Sequence, residues 1–185
     1  MSMARPTKPT LVTDRLELWM PAADDLRPMF EIISEPETGL HFGNTITLED
    51  HFMRFSRNAG SWALYGYGGF MVRERDGDGS LIGNTGIFHS IRGVGEDFDD
   101  RPEAGWILRH ASTGKGYAGE AMRAVLAWFD AEFGREVMCM ISPKNTPSLR
   151  LAEKLGFEAM RDTVLAEDEP IRLFCRPSAS SGRDK

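Results

Sequence analysis

Apolar positions along the chain repeat at two spacings, about two residues and about three to four, and the segments alternate between them. Leu16, Leu18 and Met20 alternate with polar neighbours, which predicts a first strand over residues 11–20. Helical spacing follows at Leu26, Met29, Phe30 and Ile33. Asp24 or Asp25 is placed to cap that helix, and Pro28 falls in its first turn, where a missing N–H costs little. Residues 34–44 hold Pro36, Gly39 and Gly43 and read as a loop. Thr47-Leu48-Glu49-Asp50 resembles a capping box that opens a second helix, with Leu48, Phe52 and Phe55 aligned.

Strand spacing then returns at residues 70–74 and 81–89, joined by Asp76-Gly77-Asp78-Gly79, a strong hairpin signal. An acidic loop over residues 93–102 carries Glu96, Asp97, Asp99 and Asp100. Trp106, Ile107 and Leu108 form a short apolar run. A glycine-rich turn follows, and then a helix with Ala118, Met122, Val125, Leu126, Phe129 and Phe133 on one stripe. Residues 137–141 predict a fifth strand and residues 143–147 a second turn. A short helix bearing Leu149, Leu151 and Leu155 stops at Gly156, and closing strands begin at Phe157 and span residues 171–175. Alternating strands and helices that also contain tight hairpins predict an α+β (mixed α/β) fold with helices packed on a mixed sheet.

The bulk composition narrows this picture. A chain of 185 residues, 41% hydrophobic and 27% charged, suits a single domain over residues 10–176 with flexible tails at 1–9 and 177–185. A net charge of −6 disfavours a nucleic-acid groove. Cys139 and Cys175 both lie in apolar runs and read as buried reduced thiols, which fits a reducing compartment. No run is long enough to span a bilayer, and the first nine residues lack the apolar core of a signal peptide, so a cytoplasmic location with no membrane partner is expected. His41, His51 and His89 show no metal spacing with each other or with the cysteines, and no metal is expected; His110 reads as an exposed side chain beside the glycine turn.

The chemistry concentrates at that turn, Arg109-His110-Ala111-Ser112-Thr113-Gly114-Lys115-Gly116-Tyr117-Ala118-Gly119-Glu120. A strand, a glycine turn and a helix start aim unpaired backbone N–H groups and the positive end of a helix dipole at one point, which favours a phosphate. Gly114 and Gly116 can take positive φ there. The turn matches G-x-G-x-x-G, the dinucleotide fingerprint, but the strand that follows runs into Ser142-Pro143-Lys144 rather than ending on an acidic residue, so a nicotinamide cofactor is disfavoured. A Walker loop fails for want of the earlier glycine and of Ser or Thr after Lys115.

Taken together, Gly114-x-Gly116-Tyr117-Ala118, Asn145-Thr146-Pro147-Ser148 and Lys154-Leu155-Gly156-Phe157 resemble the GCN5-related N-acetyltransferase (GNAT) superfamily. Thr13-Asp14-Arg15-Leu16, residues 103–108 and Glu120-Ala121 look most like its branch of ribosomal-protein N-terminal acetyltransferases (RimJ/RimL-like) and their small-molecule relatives. The resemblance covers residues 11–175. It implies a mostly antiparallel mixed sheet splayed at its fourth strand, with about four helices packed on it and acetyl-CoA lying in the gap. Gly114, Lys115, Gly116, Tyr117, Ala118 and Gly119 would hold the pyrophosphate. Backbone groups of Ile107, Leu108 and Arg109 would pair with the pantetheine arm, and Asn145 would contact it from the second turn. Homodimers are common in the branch.

Moving an acetyl group from a thioester to a primary amine requires a neutral amine, a stabilised carbonyl oxygen and a proton for the leaving thiolate. The resemblance places Glu103 as the general base and Ser148 as the proton donor. The superfamily's usual tyrosine position is Ala152 here, and Ala111 stands where Gln or Arg is frequent. The acceptor stays open between a peptide N-terminus and a small-molecule amine. Phe42, Phe52, Phe55, Trp62 and Tyr65 are candidate pocket residues, and the acidic run at 96–100 a candidate attractor for a cationic amine. A non-catalytic, CoA-binding regulatory module is the alternative reading.

Overall fold

The computed structural model describes residues 6–40, 46–165 and 169–178, so His41, Phe42 and most of both expected tails lie outside the described residues. An eight-stranded mixed sheet runs in the order β1-β2-β3-β4-β5-β6-β8-β7. The expected first strand is a small hairpin of two, β1 (Leu11–Val12) and β2 (Leu16–Trp19). Thr13 makes the turn: its Oγ1 accepts the Leu16 N–H at 2.9 Å while its own N–H donates to the Leu16 carbonyl. Every later strand is therefore numbered one higher than the periodicity predicts.

β3 (Gly69–Glu74) and β4 (Leu81–Ser90) form the hairpin expected from the Asp-Gly repeat. β5 (Arg101–Leu108) starts earlier than its apolar run suggests, so Arg101 and Pro102 belong to the strand and not to the acidic loop. Eight residue pairs zip β5 antiparallel to β4, from Ser90↔Arg101 to Gly83↔Leu108. β6 (Val137–Ile141) meets β5 in parallel at one pair only, Glu103↔Met138, and is held on its other edge by β8 (Pro170–Arg176) through five pairs. The sheet therefore splits between β5 and β6 beyond Glu103. β7 (Glu158–Val164) closes the far edge.

Strand alternation sorts the core onto two faces. Leu16, Leu18, Phe70 and Val72 are buried with Met122, Val125, Leu126 and Phe129 of the helix α4 (Tyr117–Glu132). Met71 and Leu81 face the other way and pack with Met29, Ile32 and Ile33 of α1 (Leu26–Ser34). Residues 36–39 add the single turn α2 (Pro36–Gly39) inside the expected loop. Thr47 caps α3 (Leu48–Tyr65) through the reciprocal bonds of the capping box, Asp50 N–H to Thr47 Oγ1 and Thr47 N–H to Asp50 Oδ2, both 3.1 Å. α5 (Thr146–Lys154) packs Ala152 fully into the core, next to Leu155 and Phe157. Cys139 is buried and Cys175 half-buried, both as free thiols; burial, and secondarily the Glu103 charge, push the Cys139 thiol well up, which keeps it protonated. Among the described residues no helix is long and apolar enough to cross a membrane.

Asp25 does not cap α1. One carboxylate oxygen accepts the Ala22 N–H at 2.9 Å and the other pairs at 2.5 Å with Arg73 of β3. Asp25 is 3% exposed and Arg73 9%, so this ion pair is buried under α1. Removing one member of such a pair strands the other charge. Asp25→Ala should therefore lower stability by about 3–5 kcal/mol in urea unfolding. The double variant Asp25→Ala/Arg73→Met should recover most of that loss.

Candidate active site

The split in the sheet opens a cavity of ≈ 1060 Å³. Because the gap passes through the sheet, both faces contribute to its wall. Glu103 and Ile107 enter from the α1 face; Trp106 and Ser148 enter from the face that carries α4 and α5. Of the residues the sequence singles out, Glu103, Ile107, Leu108, Gly114, Gly116, Tyr117, Ala118, Gly119, Asn145 and Ser148 all line this one cavity. The Arg109 and Lys115 side chains do not.

At the mouth of the gap, Gly114 and Gly116 adopt φ of 73° and 79°, left-handed backbone that other residues rarely take. Gly116 is the N-cap of α4 and makes no side-chain cap bond. The first helical bond is Glu120 N–H to the Gly116 carbonyl. The backbone N–H groups of Gly114, Lys115, Gly116, Tyr117, Ala118 and Gly119 thus have no acceptor among the described residues. Consecutive unpaired amides at a helix N-terminus are an anion cradle.

What holds this cradle rigid is not visible in local sequence. Glu120 accepts from the Thr13 hydroxyl at 2.6 Å, the Arg15 amide at 3.0 Å and the Arg15 Nε at 2.7 Å. The Arg15 guanidinium also donates to the Lys115 carbonyl at 3.0 Å and lies 4.7 Å over the Tyr117 ring. The N-terminal hairpin therefore braces the glycine turn from outside. Arg123, whose guanidinium lies beside Gly119, adds a cation to the cavity wall that the sequence reading missed.

Along β5 the backbone assignment differs from the expectation. The Arg109 amide donates to the Ile82 carbonyl at 2.8 Å, so it faces β4. Antiparallel pairing repeats every second residue, which turns Ile107 the same way and leaves the amides and carbonyls of Trp106 and Leu108 facing the gap. The Arg109 side chain pairs instead with Glu35, 3.1 Å away.

Inside the gap, Asn145 caps α5, its Oδ1 accepting the Ser148 N–H at 3.1 Å, so its side-chain NH₂ is left to donate into the cavity. Ser148 Oγ accepts the Trp106 indole N–H at 3.1 Å. With that lone pair occupied, the serine O–H is free to point at a third group. Glu103 is 3% exposed and held by both arms of Arg92, Nε to Oε2 at 2.8 Å and a terminal nitrogen to Oε1 at 2.6 Å. Burial works against the charged form of Arg92, but the Glu103 hydrogen bonds and charge outweigh it and raise its pKa. Arg92 was not anticipated, since it sits eleven residues before Glu103 across a loop.

Other candidates fall elsewhere. Phe42 is outside the described residues; of the other four proposed aromatic residues only Phe55 lines the cavity, while Phe52 and Tyr65 are exposed and Trp62 packs on Phe70 and Trp128. Three of the four carboxylates of the acidic run are bonded internally: Asp97 pairs with Arg161, Asp99 accepts the amides of Arg92, Gly93 and Gly95, and Asp100 bonds the His89 ring. His51 is buried with Nε2 donating to the Leu26 carbonyl at 3.0 Å, and burial lowers its pKa.

Residues 15–158 match the acetyltransferase (GNAT) domain, and the chain belongs to that family. It is an acetyltransferase, and GNAT acetyltransferases use acetyl-CoA. A GnaT-family acetyltransferase of Bordetella pertussis is 34% identical, with a TM-score of 0.79 over 90% of this chain and 98% of its own. The uncharacterised protein YkkB of Bacillus subtilis is 26% identical over 92% of this chain and 97% of its own. A phosphinothricin acetyltransferase of Sinorhizobium meliloti, solved with acetyl-CoA, shares the fold at 21% identity, with a TM-score of 0.66 and 92% of each chain covered.

The brace on the glycine turn carries a pH dependence. Burial tends to raise the Glu120 pKa, but the bonds from Thr13 and Arg15 outweigh it and hold the carboxyl below the ordinary glutamate value. A depressed folded-state pKa gives stability that is present above the unfolded-state value, about 4.3, and lost as pH falls through the lower folded value. Melting temperature should drop on acidification through this window. Glu120→Gln, which keeps one acceptor but cannot titrate, should show a shallower drop across it.

Proposed function

We propose that the protein moves the acetyl group of acetyl-CoA to the nitrogen of a primary amine by direct attack on the thioester. The run of unpaired amides from Gly114 to Gly119, opening into the same gap as Glu103 and Ser148, carries this reading. Gly114–Gly119 hold the pyrophosphate. Trp106 and Leu108 offer strand-like backbone partners to the pantetheine arm, and Asn145 adds its side-chain NH₂ from α5. The resemblance of Thr13–Leu16 and of residues 103–108 to the ribosomal-protein N-terminal acetyltransferase branch supports a protein N-terminus or a small molecule as the amine source. A cytoplasmic location fits the reduced thiols.

Glu103 takes the proton of the attacking ammonium, directly or through water. Each of its oxygens keeps a lone pair beyond the one given to Arg92, so the grip orients the base without using it up. The amine nitrogen then bonds to the thioester carbon, whose oxygen is stabilised by amide N–H groups facing the gap. The C–S bond breaks, Ser148 donates its hydroxyl proton to the thiolate, and the second proton that the nitrogen sheds as the amide forms restores the serine hydroxyl, directly or through water, leaving free CoA and the amide. Ala152, buried in the core, takes no part. The tight Arg92–Glu103 pair favours one rival, a CoA-binding module without turnover.

Acetyl-CoA at a hundred times its dissociation constant should stabilise the fold by about 2.7 kcal/mol, read as a rise in melting temperature. Gly116→Glu, which places bulk and negative charge in the cradle, should remove that rise. The absence of any shift with wild-type protein at millimolar acetyl-CoA would refute the proposal. In a CoA-release assay over an amine panel, Glu103→Gln should cut kcat about 10²- to 10⁴-fold. Ser148→Ala should cut it less, because water can protonate a thiolate. A protein that binds acetyl-CoA but turns over no amine is the non-catalytic module.

A further inference from the structure

Helix α3 packs through His51, Phe55, Ser61 and Trp62, yet also brings charge to the wall of the cavity. Phe52, Met53 and Leu64 point to solvent at 51%, 63% and 79% exposure, while the face turned to the cavity carries Arg54, Arg57 and Asn58 with Phe55.

The charge in this part of the cavity is lopsided. Arg54, Arg57 and Arg92 all line it; Arg92 grips Glu103, and Arg57 lies in the field of Glu103, Arg92 and Arg54. Glu103 is taken up by Arg92, and neither Arg54 nor Arg57 has an ion-pair or hydrogen-bond partner among the described residues. Glu37 and Glu169 also line the cavity but pair with neither. Burial lowers the Arg57 pKa, the neighbouring Arg92 and Arg54 lower it further, and Glu103 only partly opposes them. Arg57 thus stands near a base already gripped by Arg92, Arg54 has among the described residues only the field of Asp50 one helical turn back, and Asp97 and Asp99, which might have drawn a cation, are bonded to Arg161 and to loop amides. A polyamine or an aminoglycoside would meet like charge on entry.

We infer that the acceptor is a small amine bearing a carboxylate, as in an amino acid, with Arg57 and Arg54 receiving the carboxylate while the amine faces Glu103. This rests on the acetyl-transfer reading above. A planar guanidinium is the side chain suited to forked recognition of a carboxylate, and a fixed anion anchor orients the neighbouring amine toward the base.

Free amino acids, their methyl esters and amides, spermidine, and a short peptide with an acidic second residue are compared as acceptors at saturating acetyl-CoA, with acetyl-CoA affinity measured separately by calorimetry. Masking the carboxylate should lower kcat/KM about 10- to 100-fold, mainly through KM. Arg57→Met should raise KM for the free acid by a similar factor, leave the poor activity on the ester within about twofold, and leave acetyl-CoA affinity unchanged; Arg57→Lys should fall between. Equal or better activity on esters, on spermidine or on the peptide overturns the inference while leaving acetyl transfer intact. So does an Arg57→Met variant that loses activity on acid and ester alike. Acetyl-CoA binding with no transfer to any amine overturns the transfer reading and this inference together.

Discussion

The molecule depends on one failure of pairing. β5 is committed to β4 along eight residue pairs and β6 to β8 along five, yet β5 and β6 meet at a single pair, Glu103↔Met138. Each strand is held by its outer neighbour and cannot follow the other, so the sheet must open past that point. Trp106 keeps it open on one side: its ring packs toward Phe157 and its indole is tied to Ser148. Strand edges facing a gap carry backbone groups that need partners, and the amides and carbonyls of Trp106 and Leu108 face this one. A defect in hydrogen bonding that would be a liability at a sheet edge becomes a slot for an extended ligand.

The slot has meaning only because its two ends are fixed by different parts of the chain. Its outer end is the glycine turn, and the residues that hold it are Thr13 and Arg15, bonded to Glu120 across 107 positions in the case of Thr13. Its inner end is Glu103, held by Arg92 and, behind it, by a loop that Asp99 cinches through three backbone amides. The acidic run is thus part of the support for the base. Disturbing it would act on Glu103 indirectly, through Arg92.

Local order was legible in the sequence where a single segment decides it. The Thr47 box, the Asp-Gly hairpin and the positive φ of Gly114 and Gly116 all follow from residues within a turn of one another. The family motifs likewise pointed to residues that share one cavity. What stayed hidden depends on distant contacts. Thr13 breaks the first strand into a hairpin, Asp25 abandons its cap for Arg73, and the backbone of Trp106 and Leu108, not of Ile107 and Arg109, faces the gap. The apolar run at 106–108 gave no sign that the strand begins at Arg101, because Pro102 and Glu103 are buried by context rather than by hydropathy.

Glu103 shows how these layers combine. A carboxylate that is 3% exposed needs compensation, and Arg92 supplies two charge-assisted bonds. That pair is close to neutral, so the local charge is set by what surrounds it, namely Arg54 and Arg57 on α3. Had the acidic run faced the cavity, the site would have been negative and suited to a polycation. Asp97, Asp99 and Asp100 are spent on Arg161, on loop amides and on His89, so among the described residues the charged side chains that α3 brings to the cavity wall are the cations Arg54 and Arg57, although the whole chain carries −6. Net charge therefore says little about this acceptor. The sign of the field at the nitrogen's approach is decided by three arginines and by which carboxylates are left free to answer them.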